Sequence, residues 1–197
     1  MAAYNKGKRT YFTIGYGKFR HKENQEILEY DGIYGVLVKI YERKSQISPG
    51  EEKTFVDFHL KDGENILIIS CEKYSSNCNT ILRCLPNVPD LKQEIVFEVW
   101  QGDGKDGKKH TNLVVSQNNE KIKWVDIPDK ERYDLPNGEV VLSTKKREEF
   151  MDGIIKQINE LLAGENVNTV NNPVEQKYAD QEDVPYVPQE VDEQEVE

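Results

Sequence analysis

The chain has 197 residues, 36 acids against 26 Lys or Arg, a formal net charge of −10 and a mean hydropathy of −0.75. Such a length suits one domain with appendages, the low hydropathy implies that part of it packs into no core, and the lack of any 18-residue apolar run excludes a membrane-spanning helix. From Glu165 onward lie ten of the acids and one cation, Lys177, which leaves 26 acids against 25 cations before it, so the body is nearly neutral and the tail carries the charge.

In chain order, residues 1–25 read as a basic aromatic arm, with Lys6, Lys8, Arg9, Lys18, Arg20 and Lys22 interleaved with Tyr11, Phe12, Tyr16 and Phe19. The start MAAYNKGKRTYF lacks the apolar core of a signal peptide, so the expected compartment is the cytoplasm, that of a host cell if the protein is viral. Three strand patterns follow: IYGVLVKIYERKS (33–45), KTFVDFHL (53–60) and NILIISCEKY (65–74), the last two flanking the hairpin signal Asp62-Gly63. SSNCNTILRCLP places Ile81, Leu82 and Leu85 at helical spacing, with Ser75 or Ser76 to cap it and Pro86 to stop it. Two more strands, EIVFEVWQ (94–101) and TNLVVSQ (111–117), flank the loop GDGKDGKKH, and IKWVDI (122–127) comes after a turn.

Five strands with a short helix between the third and fourth predict a mainly β fold, a Greek-key OB barrel over residues 26–127. Residues 128–164 hold a connector and an amphipathic helix in which Phe150, Ile154, Ile158 and Leu161 share a face, Thr144 is the N-cap and Gly164 the stop. Residues 165–197 have no periodicity and read as a disordered acidic tail.

The loop GDGKDGKKH fits G-x-G-x-x-G and most of a P-loop. Its glycines, however, lead into a strand rather than a helix, and Lys109 stands where the P-loop needs a hydroxyl. It reads instead as a hairpin loop or a basic finger of Lys105, Lys108, Lys109 and His110.

Strand alternation puts Tyr34, Val36, Val38 and Ile40 inside and Leu37, Lys39, Tyr41 and Arg43 outside; Trp124 also reads as core. Likewise Phe55, Asp57 and His59 face out opposite Val56, Phe58 and Leu60. Trp100 faces out beside Glu98, while Lys121 and Lys123 oppose Ile122 and Trp124. Exposed aromatics among cations are what a single strand of nucleic acid needs, because bases stack on flat rings while Lys and Arg follow the phosphates. The expected stackers are Tyr41, Phe55 and Trp100. The expected phosphate contacts are Lys39, Arg43, Lys105, Lys108, Lys109, Lys121 and Lys123, with Lys18, Phe19 and Arg20 added from the arm. The competing reading has these aromatics covered by the C-terminal helix or the arm.

Catalysis has little support: His21, His59 and His110 are scattered, and neither a nucleophile elbow nor HExxH occurs. No enzyme activity, metal or cofactor is expected. Cys71, Cys78 and Cys84, an odd set without CxxC spacing, read as reduced thiols.

FTIGYGKFR, ILRCLPNVPDLKQEIVFEVW and TNLVVSQNNEKIKWV resemble segments of the small OB-fold single-stranded-DNA-binding proteins of bacteriophage replication modules, over roughly residues 10–127. The resemblance implies a protein that coats single-stranded DNA in replication or recombination. It also implies an acidic tail that competes with DNA and recruits replication or recombination proteins. Acidic tails of that class often end in an apolar residue; this chain ends in Glu197, so the expected partner anchors are Val184, Tyr186, Val187 and Val191. Two rivals remain: an OB-fold protein–protein adaptor or virion-associated protein that does not bind DNA, favoured by the near-neutral body, and an RNA-binding OB domain. Self-association through the C-terminal helix is left open.

Overall fold

The computed structural model describes residues 7–104, 107–134 and 139–164. Lys105 and the acidic tail, with Val184, Tyr186, Val187 and Val191 and its expected disorder, lie outside the described residues.

Local turn chemistry sets the first elements. Strands β1 (Arg9–Gly15), β2 (Lys18–Glu23) and β3 (Glu26–Tyr30) are joined by two-residue turns at Tyr16-Gly17 and Asn24-Gln25, all four with positive φ. That is the conformation whose twist matches antiparallel strands. Gly17 is held to glycine twice over: its φ is 71°, and a Cβ there would run into the backbone of Trp100 and Gln101.

Next come β4 (Gly32–Ser48), β5 (Glu51–Asp62) and β6 (Asn65–Glu72), then helix α1 (Ser76–Cys84), β7 (Glu94–Asp103), β8 (Lys109–Gln117) and β9 (Glu120–Lys121). Ser75 caps α1 by accepting from the Cys78 N–H, and Pro86 sits in a single 3-10 turn, Leu85–Asn87, that ends the helical run. A separate hairpin, β10 (Glu131–Asp134) and β11 (Val140–Ser143), leads into α2 (Lys145–Ala163). None of the described helices is long and apolar enough to cross a membrane.

The fold is mainly β, one large open sheet with two helices. Its order is β3-β2-β1-β6-β5-β4-β7-β8-β9, and β1 alone runs parallel to its neighbour, against β6. The sheet corrects two expectations. The arm is part of the sheet, with Phe12 and Phe19 in the core. The ladder extends to nine strands rather than closing as five, because β1 occupies the outer edge of β6.

A β-bulge corrects a third. Val36 pairs with Lys61 and Leu37 with Leu60, but the next pair is Lys39 with His59, leaving Val38 as an extra residue. One inserted residue shifts the period-2 alternation onto the other face. Ile33, Gly35 and Leu37 therefore point in before the bulge and Ile40 after it, while Tyr34 and Val38 are exposed.

Helix α2 buries Met151, Ile154, Ile155 and Ile158, whereas Leu161 is exposed and Phe150 only half-buried. The apolar stripe is thus rotated from the one expected, and two polar contacts hold α2 in place. Asn159 pairs with Ile40 as a strand would, its side-chain oxygen accepting the Ile40 N–H at 3.0 Å and its amide donating to the Ile40 carbonyl at 2.9 Å. Lys73 bridges Glu42 on β4 (3.0 Å) and Asp152 on α2 (2.9 Å). Burial alone would lower the Lys73 pKa, but its contacts with Asp152, Glu42 and Tyr74 outweigh that and hold it above its ordinary value. Cys71, Cys78 and Cys84 are free, buried thiols, and burial pushes Cys78 and Cys84 up to about 12.

Candidate nucleic-acid interface

Strand pairing assembles one outer face from side chains far apart in the chain. Across the ladder, Lys39 lies beside His59, then Ile68, then Tyr11. In the next row Tyr41, Asp57, Ser70, Thr13 and Arg20 are neighbours, and in the third Arg43, Phe55 and Glu72. On the other side of the bulge the same face continues through Tyr34, opposite Val96, toward Glu98 and Trp100 on β7.

Tyr41 and Trp100 are each 47% exposed and Tyr34 is 53% exposed. The Lys39 ammonium lies 4.9 Å from the Tyr41 ring centre, a cation against a flat aromatic surface. The tip of the β1–β2 hairpin meets the end of β7 and β8 beside the backbone of Trp100 and Gln101, where the Gly17 N–H donates to the Thr111 hydroxyl at 3.0 Å. That places Tyr16, with the Arg20 guanidinium 5.2 Å from its ring, at the same end.

Several expected contacts are already engaged. Arg43 donates through Nε to Asp57 at 2.7 Å and through a terminal nitrogen to Ser70 at 2.9 Å, with its guanidinium 4.8 Å over the Phe55 ring. It therefore covers Phe55, which is half-buried, and fastens Asp57, which is buried and has one oxygen without a partner. Lys18 is paired with Asp31, Arg20 with Glu29 at 3.1 Å, and Lys109 with Asp103. Phe19 is fully buried, which removes it from any binding surface. Asp57 was expected outside; its side chain does belong to the outer face, but Arg43 closes over it.

Lys121 and Lys123 are exposed at the β9 end of the sheet, and Lys108 lies in the β7–β8 hairpin, whose Gly104 N–H donates to the Lys108 carbonyl. Burial lowers the His59 pKa, a shift that nearby Asp57 partly opposes. Sequence reasoning missed Tyr11, Tyr16 and Tyr34: it reads the first two as part of an arm and Tyr34 as core, by an alternation that the bulge interrupts. Two signals pointed to the tyrosines: Tyr16-Gly17 reads as a tight hairpin turn, and alternation counted back from it separates Tyr11 from Phe12.

Among the described residues, no group of three or more His, Cys, Asp or Glu is placed to hold a metal. No protein-family model, curated protein or solved structure gives a significant match to the chain.

Proposed function

We propose that the protein binds single-stranded DNA without sequence preference and protects it during replication or recombination. The observation that carries this reading is the outer face itself: Tyr11, Tyr34, Tyr41 and Trp100 are exposed on one side of one sheet, with Lys39 against Tyr41. Such a surface offers flat rings to successive bases whatever their identity, and a cation to the phosphates between them. Two further observations support it. The strands β6-β5-β4-β7-β8 are neighbours in that order with α1 between β6 and β7, which is the pairing order of an OB core. Residues 165–197 carry ten acids against one cation, a tethered polyanion that can compete with DNA for exposed cations. By that reasoning the tail, through Val184, Tyr186, Val187 and Val191, also offers handles to replication or recombination partners.

The test is a titration of oligo-dT into the full chain and into a chain ending at Gly164, followed by tryptophan fluorescence at two salt concentrations. Quenching, affinity that falls with salt, and tighter binding by the shorter chain are expected. Absence of binding by either chain at low salt would sink the proposal.

One observation favours the adaptor reading instead. Val140, Val141 and Leu142 are consecutive exposed apolar residues on β11, in a hairpin outside the main sheet. A two-stranded ribbon is marginal alone, so a protein surface against it would be stabilising. Capture of a protein partner that is lost on Val141→Lys, without any DNA binding, would establish that role.

A further inference from the structure

Strand β8 has a free edge. It pairs with β7 along its whole length, but with β9 only at Ser116 and Gln117. Val115 gives its carbonyl to the Ile122 N–H on that open side. By the alternation of an antiparallel ladder, the backbone groups of Thr111 and Leu113 point the same way, and no described strand meets them. A cleft of about 280 Å³ opens there between β8, α1 and the segment after β9.

The lining of this cleft is unusual for a packing defect. It holds both tryptophans of the chain, Trp100 and Trp124. Trp124 is fixed, since the Arg83 guanidinium lies 4.8 Å over its ring while Arg83 Nε donates to the Val125 carbonyl at 2.8 Å. Two side-chain amides also line it. Asn77 is 8% exposed and Asn112 half-buried, and neither side chain makes a hydrogen bond among the described residues. The polar atoms of both amides stay open to solvent in the cleft, so each can exchange water for the donors and acceptors of a ligand.

We infer that this cleft is a nucleobase pocket, in which one base is held against tryptophan and its edge is read by the Asn77 and Asn112 amides. The volume lies just below the range typical of small-ligand clefts, about 300–1,000 Å³, which suits one ring system and not an extended peptide laid along β8. An Asn amide carries a donor pair and an acceptor, the complement of a base edge, and tryptophan supplies the stacking surface. Lys121, exposed at the rim, is placed for the attached phosphate. The inference rests on the strand-binding reading for its biological source, a strand end or an extruded base, while the pocket chemistry is the same for a free nucleotide. It adds what the outer face lacks: a point at which one base differs from another.

The test uses full-length protein and dAMP, dCMP, dGMP and dTMP in separate titrations, followed in ¹H–¹⁵N spectra by the indole and side-chain amide signals. At least one mononucleotide is expected to saturate, shifting the Trp124 indole and the Asn77 and Asn112 amides. Asn77→Ala and Asn112→Ala are each expected to weaken that binding about five- to tenfold while the remaining spectrum stays dispersed. Failure of all four to shift these signals overturns the inference, as does binding unchanged by both substitutions. The same samples titrated with oligo-dT separate the two ideas. Oligo-dT binding with a silent cleft leaves the strand-binding reading standing and removes this one. Mononucleotide binding without oligo-dT binding does the reverse.

Discussion

Replacing Arg43 with Met is expected to damage stability, because its guanidinium secures a buried carboxylate. The Asp57 side chain is 3% exposed, with one oxygen 2.7 Å from Arg43 Nε and the other unpaired. Removing the guanidinium leaves a buried carboxylate with no cation, a change that costs about 3–5 kcal/mol when both partners are fully buried. Arg43 is itself 35% exposed, so water reaches the pair and lowers that figure. The lost Ser70 hydrogen bond and the contact over Phe55 add back about 1 kcal/mol each at most. A loss of about 2–4 kcal/mol follows. Met keeps an apolar stem across Phe55, so the loss reports on charge rather than on a hole. The assay is urea unfolding followed by tryptophan fluorescence and far-UV circular dichroism, with the midpoint falling at unchanged slope. Arg43→Met with Asp57→Leu removes the buried charge as well and is expected to recover most of the loss. An unmoved midpoint for Arg43→Met, or a double variant weaker than the single one, would refute the reasoning.

Other outcomes are equally specific. Asn159→Ala leaves the Ile40 N–H and C=O unpaired and is expected to cost about 2–4 kcal/mol, with faster hydrogen exchange at Ile40. Tyr41→Ala and Trp100→Ala are each expected to weaken oligo-dT binding by about 1–3 kcal/mol in fluorescence anisotropy, with urea midpoints close to that of the parent. His59 is held below its ordinary value of about 6.5, so the unfolded chain takes up the proton first; stability should fall as pH drops through about 6.5, and His59→Gln should flatten that slope in thermal scans. Cys78 and Cys84, pushed up to about 12 by burial, should react with a thiol reagent only as fast as the protein unfolds.

How much of this was legible beforehand depends on whether the deciding interaction is local. The α1 cap at Ser75, the Pro86 stop, the Gly164 terminus with its φ of 73° and the inward set Val56, Phe58 and Leu60 all follow from neighbours in the chain. Trp100 was placed outside by the same alternation, and it is exposed. Turn chemistry carries the same kind of information: Asn118-Asn119, both with positive φ, makes the two-residue turn into β9.

What the sequence determined by itself, then, was the identity and order of the central strands, the two helices and the separation of an acidic tail from a neutral body. Tertiary structure alone decided that β1 would take the edge of β6, turning an apparent arm into sheet and sending Phe19 into the core. It decided the bulge at Val38, because two strands of unequal residue count had to share one ladder. It also decided which cations stay engaged, since Arg43 meets Asp57 only when β4 and β5 are paired. Periodicity is a property of adjacent residues, but edges, bulges and ion pairs are properties of which strands meet, and that choice is made by the packing of the whole sheet.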